Sequence, residues 1–122
     1  MRNFMAALGT VVKTGLECPL PVTRVLIEKS TVPVKTAQRM LAYIKEATGR
    51  LRSLADQNSR TLQHFEVLSV PEFLAEGSAI ANLLEPDRVL VGHNRTPAGS
   101  LAYERVKSLY TPFIEESKIL PM

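Results

Sequence analysis

The sequence predicts an α/β fold, with a mostly parallel sheet and flanking helices. Three observations carry the prediction. Short apolar, β-branched runs recur at Arg24–Ile27, Phe65–Leu68, Arg88–Gly92 and Lys118–Leu120. Stretches with apolar residues at helical spacing alternate with those runs, the pattern of βαβ units with right-handed crossovers. Proline or glycine stands at most of the junctions, where a strand or helix must stop. With 122 residues, 45% of them hydrophobic and 22% charged, the chain suits one soluble domain with a real core.

Phe4 to Val12 has helical spacing, with Lys13 in the last turn and Gly15 just past it, which predicts an amphipathic helix. Leu16–Pro21 reads as a loop, since two prolines so close forbid both helix and central strand. Arg24–Ile27 is the first strand. Ser30 or Thr31 is then placed to cap a helix beginning near Pro33, because a hydroxyl accepts a first-turn N–H and proline tolerates that position. Its buried face is expected to be Val34, Ala37, Met40, Leu41, Ile44 and Ala47, with Gly49 as a left-handed cap. A capped helix start with a free hydroxyl also suits a phosphate, so two roles stay open there. Arg50–Gln63 is polar and basic, and is expected to be a surface insertion or a short extra helix.

His64 reads as a strand-entry residue before Phe65–Leu68, and Ser78–Leu84 as a short apolar helix broken by Glu85-Pro86-Asp87. After the strand Arg88–Gly92, Thr96-Pro97 starts a helix with an expected buried face of Leu101, Ala102, Val106, Leu109, Tyr110 and Phe113. Lys118–Leu120 opens the last strand. The absence of an upstream strand and the late start of this one lead us to expect a truncated unit.

Composition narrows the function. The net charge is +3, but the basic residues are scattered and aromatics are few, so no nucleic-acid footprint is drawn and no such partner is expected. No apolar run reaches the roughly 18 residues of a membrane span, and the start does not read as a signal peptide, so a cytoplasmic location and no membrane partner are expected. The single cysteine, Cys18, excludes an internal disulfide and a multi-cysteine zinc site. It is a surface thiol or a nucleophile, and no base or cation in its neighbourhood favours the second. With His64 and His93 the only histidines, no metal is expected.

The chain is organised around Leu68–Gly77, where an apolar run meets Pro71 and two carboxylates, Glu72 and Glu76, follow. Proline cannot donate to a ladder, so the strand ends and Glu72 falls at its carboxyl end. In open α/β sheets ligands bind at that edge. Nowhere does Gly-x-Gly-x-x-Gly occur among the 6 glycines, so the turn that opens a dinucleotide-binding fold is missing.

Three stretches together resemble a family: Glu28-Lys29-Ser30-Thr31-Val32-Pro33-Val34, then Pro71-Glu72-Phe73-Leu74-Ala75-Glu76-Gly77, then Pro86-Asp87-Arg88-Val89-Leu90-Val91-Gly92. They are similar to eukaryotic UDP-glucose 6-dehydrogenase, of the UDP-glucose/GDP-mannose dehydrogenase family. The resemblance implies an incomplete Rossmann-like sheet: residues 1–122 as a partial N-terminal NAD-binding domain, without the glycine-rich first half and the C-terminal domains. It implies NAD as cofactor, UDP-glucose as substrate, oxidation to UDP-glucuronate in two hydride transfers through a cysteine-linked intermediate, and a homo-oligomer for the full-length protein. By position, Glu72 is the implied acid/base and Thr31 helps order active-site water. Ser30, Thr31 and Glu76 border NAD, and Glu72, Phe73, Leu74, Ala75 and Glu76 line the substrate. Lys29–Lys35 resembles the family's allosteric switch. Alcohol oxidation and thioester hydrolysis each need a positioned proton acceptor, which gives Glu72 its chemical sense.

The departures are Val70, where the family has asparagine, His93-Asn94-Arg95 in place of a glycine-led turn, and the longer Arg50–Gln63. The family's catalytic lysine, its cysteine motif and the aspartate that follows are absent from the 122 residues, and Cys18 matches none of them. The chain alone is therefore expected to be inactive. Two alternatives stand beside this: a non-catalytic interaction module that pairs with a full-length dehydrogenase through an open sheet edge, and a phosphate binder using Arg39, Arg50, Arg52 and Arg60.

Overall fold

The computed structural model describes residues 2–17, 23–54 and 64–122. In chain order they form α1 (Arg2–Glu17), β1 (Thr23–Glu28), α2 (Thr36–Leu54), β2 (His64–Ser69), α3 (Ala79–Leu84), β3 (Val89–Val91), α4 (Pro97–Tyr110) and β4 (Ile119–Pro121), with a 3₁₀ turn at Glu116–Lys118 before β4. The expected alternation is present.

The sheet is built from two parallel pairs. β1 runs beside β2 with Thr23 opposite His64 and Glu28 opposite Ser69, and β3 runs beside β4 with Val89 opposite Ile119. One antiparallel bridge joins the pairs: the Ser69 N–H donates to Gly92 O at 2.9 Å, and the Gly92 N–H donates to Ser69 O at 2.7 Å. Strands that meet in this sense meet at their carboxyl ends, so the carboxyl ends of all four strands converge. Two more backbone bonds close that junction, from the Val70 N–H to Glu28 O at 2.9 Å and from the His93 N–H to Met122 O at 3.1 Å.

Side chains alternate across a strand, and β2 uses both faces. Phe65 and Val67 pack with Leu8 and Val12 of α1 and Met40 and Ile44 of α2. Leu68 and Val70 pack on the other side with Val91, Ala102, Tyr103, Val106 and Ile119. A strand covered on both faces is read as a continuous apolar run, as Phe65–Leu68 is apart from Glu66. Each such side chain, fully removed from water, contributes about 1.5–3 kcal/mol before entropy is subtracted.

Several expected boundaries shift, each for a physical reason. α1 continues through Gly15, which is buried against the Phe65 ring rather than serving as a cap. α2 starts at Thr36, because Lys35 adopts φ 70°, a left-handed conformation that no helix interior contains. The Thr36 hydroxyl donates to Pro33 O at 2.7 Å, and neither Ser30 nor Thr31 reaches the helix to cap it. Val34, expected on the buried face, is 88% exposed in that turn, whereas Met40 and Ile44 are buried. α2 then runs on through Gly49 to Leu54, so the first part of the expected insertion is helix. Residues 55–63, including Arg60, and the loop with Cys18 lie outside the described residues.

α4 begins as expected, with Pro97 in the first turn and the Thr96 hydroxyl oxygen accepting the Gly99 N–H at 3.1 Å. Its buried face is narrower and rotated: Ala102, Tyr103 and Val106 are buried, while Leu101, Leu109 and Phe113 are exposed. That stripe packs against Leu68 of β2 and Val70 just after it, with Val91 and Ile119 of the short strands β3 and β4. α3 buries no residue at all. Among the described residues no helix is long and apolar enough to cross a membrane.

Candidate functional site

Glu72 owes its place to the residues just before it. Ser69 is fixed on both sides of its backbone by Gly92, Val70 is fully buried, and Pro71 stops the ladder. The chain then leaves the sheet, and Glu72, Phe73 and Leu74 emerge as one wall of a hollow of about 130 Å³. Arg88 and Asp87 face them from the segment entering β3, Lys29 closes one side from the end of β1, and Tyr110 and Ile114 complete the lining. The Arg88 guanidinium lies 5.8 Å from the centroid of the Phe73 ring, a cation–π contact that orients both. Two cations and two carboxylates thus share one small, half-apolar space.

The far end of this segment is pinned by Asn82 of α3. Its side-chain oxygen accepts the Ala75 N–H and the Ser78 hydroxyl, each at 3.0 Å. Gly77 turns the chain between them with φ 83°, a conformation that costs a residue with a Cβ about 1–2 kcal/mol.

Of the residues marked in the sequence, Glu72, Phe73 and Leu74 are brought together in the hollow's wall, while Ala75 and Glu76 are exposed beyond it. Ser30 and Thr31 are exposed just past β1, next in the chain to Lys29 but outside the lining. Val70 faces the core with Leu68 and Val91, not the hollow, so its side chain serves packing. Sequence reasoning missed Lys29, Asp87 and Arg88 as companions of Glu72. All three belong to the motif stretches already singled out, and only their convergence was hidden.

A second, larger hollow of about 460 Å³ lies where the four strand ends converge under the start of α2. Glu28, Ser69, His93 and Asn94 line it together with apolar residues such as Val32, Val67 and Met122. Glu28 is 7% exposed, and its Oε2 accepts the Ser69 hydroxyl at 3.2 Å. Its Oε1 is shut off from solvent and has no hydrogen-bond partner among the described residues. Glu28 was quoted in the sequence only as part of a motif. The signal that marks it is its parity: it follows Leu26 on the α2 face of β1, where an apolar residue is the rule.

The histidines have local partners. His64 Nε2 lies 2.7 Å from Oε1 of the buried Glu66, and the His93 ring stacks on Tyr103 with centroids 5.2 Å apart. Among the described residues, no three His, Cys, Asp or Glu side chains are grouped to hold a metal ion. Arg50, one of the proposed phosphate contacts, is paired with Glu46 along the exposed face of α2.

A model of the UDP-glucose/GDP-mannose dehydrogenase family, NAD-binding domain, matches residues 4–114. UDP-glucose 6-dehydrogenase 1 from Oryza sativa subsp. japonica is 45% identical over 97 residues, which make up 80% of this chain and 18% of that protein. UDP-glucose 6-dehydrogenase 1 from Glycine max is 41% identical over the same share of each. The chain thus spans 18% of the length of these curated relatives. In three dimensions a UDP-glucose dehydrogenase from the hyperthermophilic archaeon Pyrobaculum islandicum aligns with a TM-score of 0.73 at 25% identity, covering 99% of this chain and 24% of that one. A GDP-mannose dehydrogenase from Pseudomonas aeruginosa, at TM-score 0.60 and 18% identity, shares the fold.

Proposed function

The chain belongs to the UDP-glucose/GDP-mannose dehydrogenase family, and from that premise we propose that it forms the proton-transfer edge of an NAD-dependent UDP-glucose 6-dehydrogenase. The observation that supports this most directly is the placement of Glu72: an exposed carboxylate directly after a strand-ending proline, in a hollow shared with Lys29 and Arg88. An alcohol gives up a proton as it is oxidised, and the later attack of water requires another proton acceptor. Glu72 serves both needs. Lys29 and Arg88 offer donors to oxygen-rich substrate groups. Phe73 and Leu74 give the hollow its apolar wall, and Thr31 and Ser30 stand at the neighbouring strand end, where a hydroxyl can hold a water.

The residues fit NAD in part. A convergence of strand carboxyl ends beside a helix start is where nucleotides bind in such sheets, and the buried Glu28 offers an acceptor there. The glycine-rich cradle for a pyrophosphate does not occur in the 122 residues. When bound, NAD supplies the hydride acceptor. The residues that would border it on this chain are Ser30, Thr31 and Glu76.

The test is a chimera in which this chain replaces its counterpart in the rice relative, assayed for NADH formation with UDP-glucose. Glu72→Gln keeps size and hydrogen-bonding reach, so turnover is expected to fall about 10²–10⁴-fold while the affinity for NAD holds. Near-normal turnover in that variant would end the assignment.

A further inference from the structure

We propose that Asn82 is a positioning residue for the reaction: its side-chain carbonyl ties down the far end of the segment that carries Glu72 and so fixes where that carboxylate stands. This rests on the assignment of Glu72 and adds a residue that lies outside the motif stretches. α3, which carries Asn82, has 6 residues and buries none of them, and Ile80, Leu83 and Leu84 are each more than half exposed. Packing on the sheet therefore does not explain why this helix stands where it does. Its side-chain link to the Glu72 segment is Asn82, whose Oδ1 accepts both the Ala75 N–H and the Ser78 hydroxyl at 3.0 Å.

A backbone N–H can only donate, so the side-chain atom that faces Ala75 must be an acceptor, which asparagine or aspartate supplies at that reach and leucine or alanine does not. The near end of the segment is fixed already, since the Val70 N–H donates to Glu28 O at 2.9 Å and Pro71 follows with its ring-locked φ. Between the two anchors only Glu72, Phe73 and Leu74 are left to move, and the Arg88 guanidinium lies over the Phe73 ring within that span. Without the Asn82 contact the untied stretch runs from Glu72 to Ser78, through the left-handed Gly77. Each added residue brings backbone freedom that must be lost again when a ligand is held. Asn82 also lines the hollow that Glu72 walls, so the same tie holds two sides of that space.

The experiment has two arms that share their substitutions. In the purified chain, NMR measures exchange of the Ala75 amide with water. Asn82→Leu keeps the size of the side chain and removes the acceptor, so that exchange should quicken about threefold to tenfold, the scale of one net hydrogen bond. The substitution lies 7 residues away, which leaves the intrinsic rate at Ala75 unchanged. Asn82→Asp restores the acceptor and should return the rate to within about twofold of wild type; the charge it adds stands in a hollow that also holds Lys29 and Arg88. In the chimera with the rice relative, Asn82→Leu should lower kcat/KM for UDP-glucose by about threefold to tenfold, as a misplaced reacting group does, and Asn82→Asp should recover it. The urea midpoints of all three proteins should agree, because α3 buries no residue.

Ala75 exchange unchanged in Asn82→Leu would overturn the tie and leave the assignment of Glu72 standing. Quickened exchange with an unchanged kcat/KM would also overturn the proposal, because the bond would then hold a segment whose place does not matter to the reaction. A loss of activity that follows the urea midpoint, or that Asn82→Asp does not recover, would assign Asn82 to stability or side-chain shape and overturn it too. Near-normal turnover of Glu72→Gln would remove the assignment of Glu72 and this role with it, whatever Ala75 shows. Should Asn82→Leu not fold, Asn82→Ala, the best helix former and equally without an acceptor, takes its place in both arms with the same expectations.

Discussion

Val70 and Glu72 flank a single proline and live under different rules. Val70 is fully buried in the core that α4 closes, whereas from Glu72 to Leu84 the chain stays at or near the surface, with Phe73 54% and Ile80 77% exposed. The first region is held by packing and by the junction of four strand ends. The second is held by three polar contacts to Asn82 and one glycine turn. On the function proposed above, the difference separates two duties: residues that must not move stop at Pro71, and residues that would meet a ligand begin after it. Substitutions before the proline should register as stability, and substitutions after it as binding or turnover.

The largest effect expected is at Leu68, entirely buried on the face of β2 that packs against α4. Leu68→Ala removes apolar contacts and leaves a cavity, so unfolding in urea should lose about 2–5 kcal/mol. A loss under about 1 kcal/mol would mean that the core relaxes around the gap and that the frame is not rigid at its centre.

Gly77 lies on the other side of the proline. No atom lies within 4 Å of where its Cβ would stand, so Gly77→Ala tests the backbone conformation alone. The expected cost is about 1 kcal/mol, together with weaker ligand binding as the Glu72 segment loses its turn. Ile80→Ser on α3 should change stability by no more than about 0.5 kcal/mol, since the side chain is 77% exposed. A larger loss at Ile80, measured on the same chain, would show that α3 is packed against something in solution.

Much of this division was legible in the sequence, because proline and alternation are strong signals. Pro71 announced the strand end and Glu72 after it, and Thr96-Pro97 announced α4 with its cap. The junction between the strand pairs was not legible. It depends on Ser69 and Gly92 pairing in the antiparallel sense, and neither residue carries a local mark of that partner. The start of α2 was misplaced because Lys35 adopts a positive φ that glycine would have advertised. Glu28 was hidden for a related reason: a lone acid at a strand end reads as solvated until the neighbouring strands show it to be enclosed.

The smallest effect expected belongs to the frame's own surface, where Lys107 of α4 donates to Glu116 in the turn before β4. That hydrogen bond holds the Glu116 carboxyl below its ordinary 4.5 and, with the charge of Glu116, holds Lys107 above its ordinary 10.5. The depressed carboxyl contributes stability that is present above 4.5 and is lost as pH falls through its lower folded value. The raised ammonium contributes stability that is present below 10.5 and is lost as pH rises through its higher folded value. Glu116 is exposed and Lys107 is half-buried at the surface, so water and salt screen the pair and the effect is small. Glu116→Gln should therefore lower the urea midpoint slightly between those limits, and the gap from wild type should close in acid and again in strong base. The same variant should leave NAD affinity untouched, because the pair joins α4 to the turn before β4 and borders neither hollow described around Glu72 and Glu28. A gap that persists in acid would assign the Glu116 effect to something other than its charge, and a change in NAD affinity would show that frame and site are coupled across Pro71 after all.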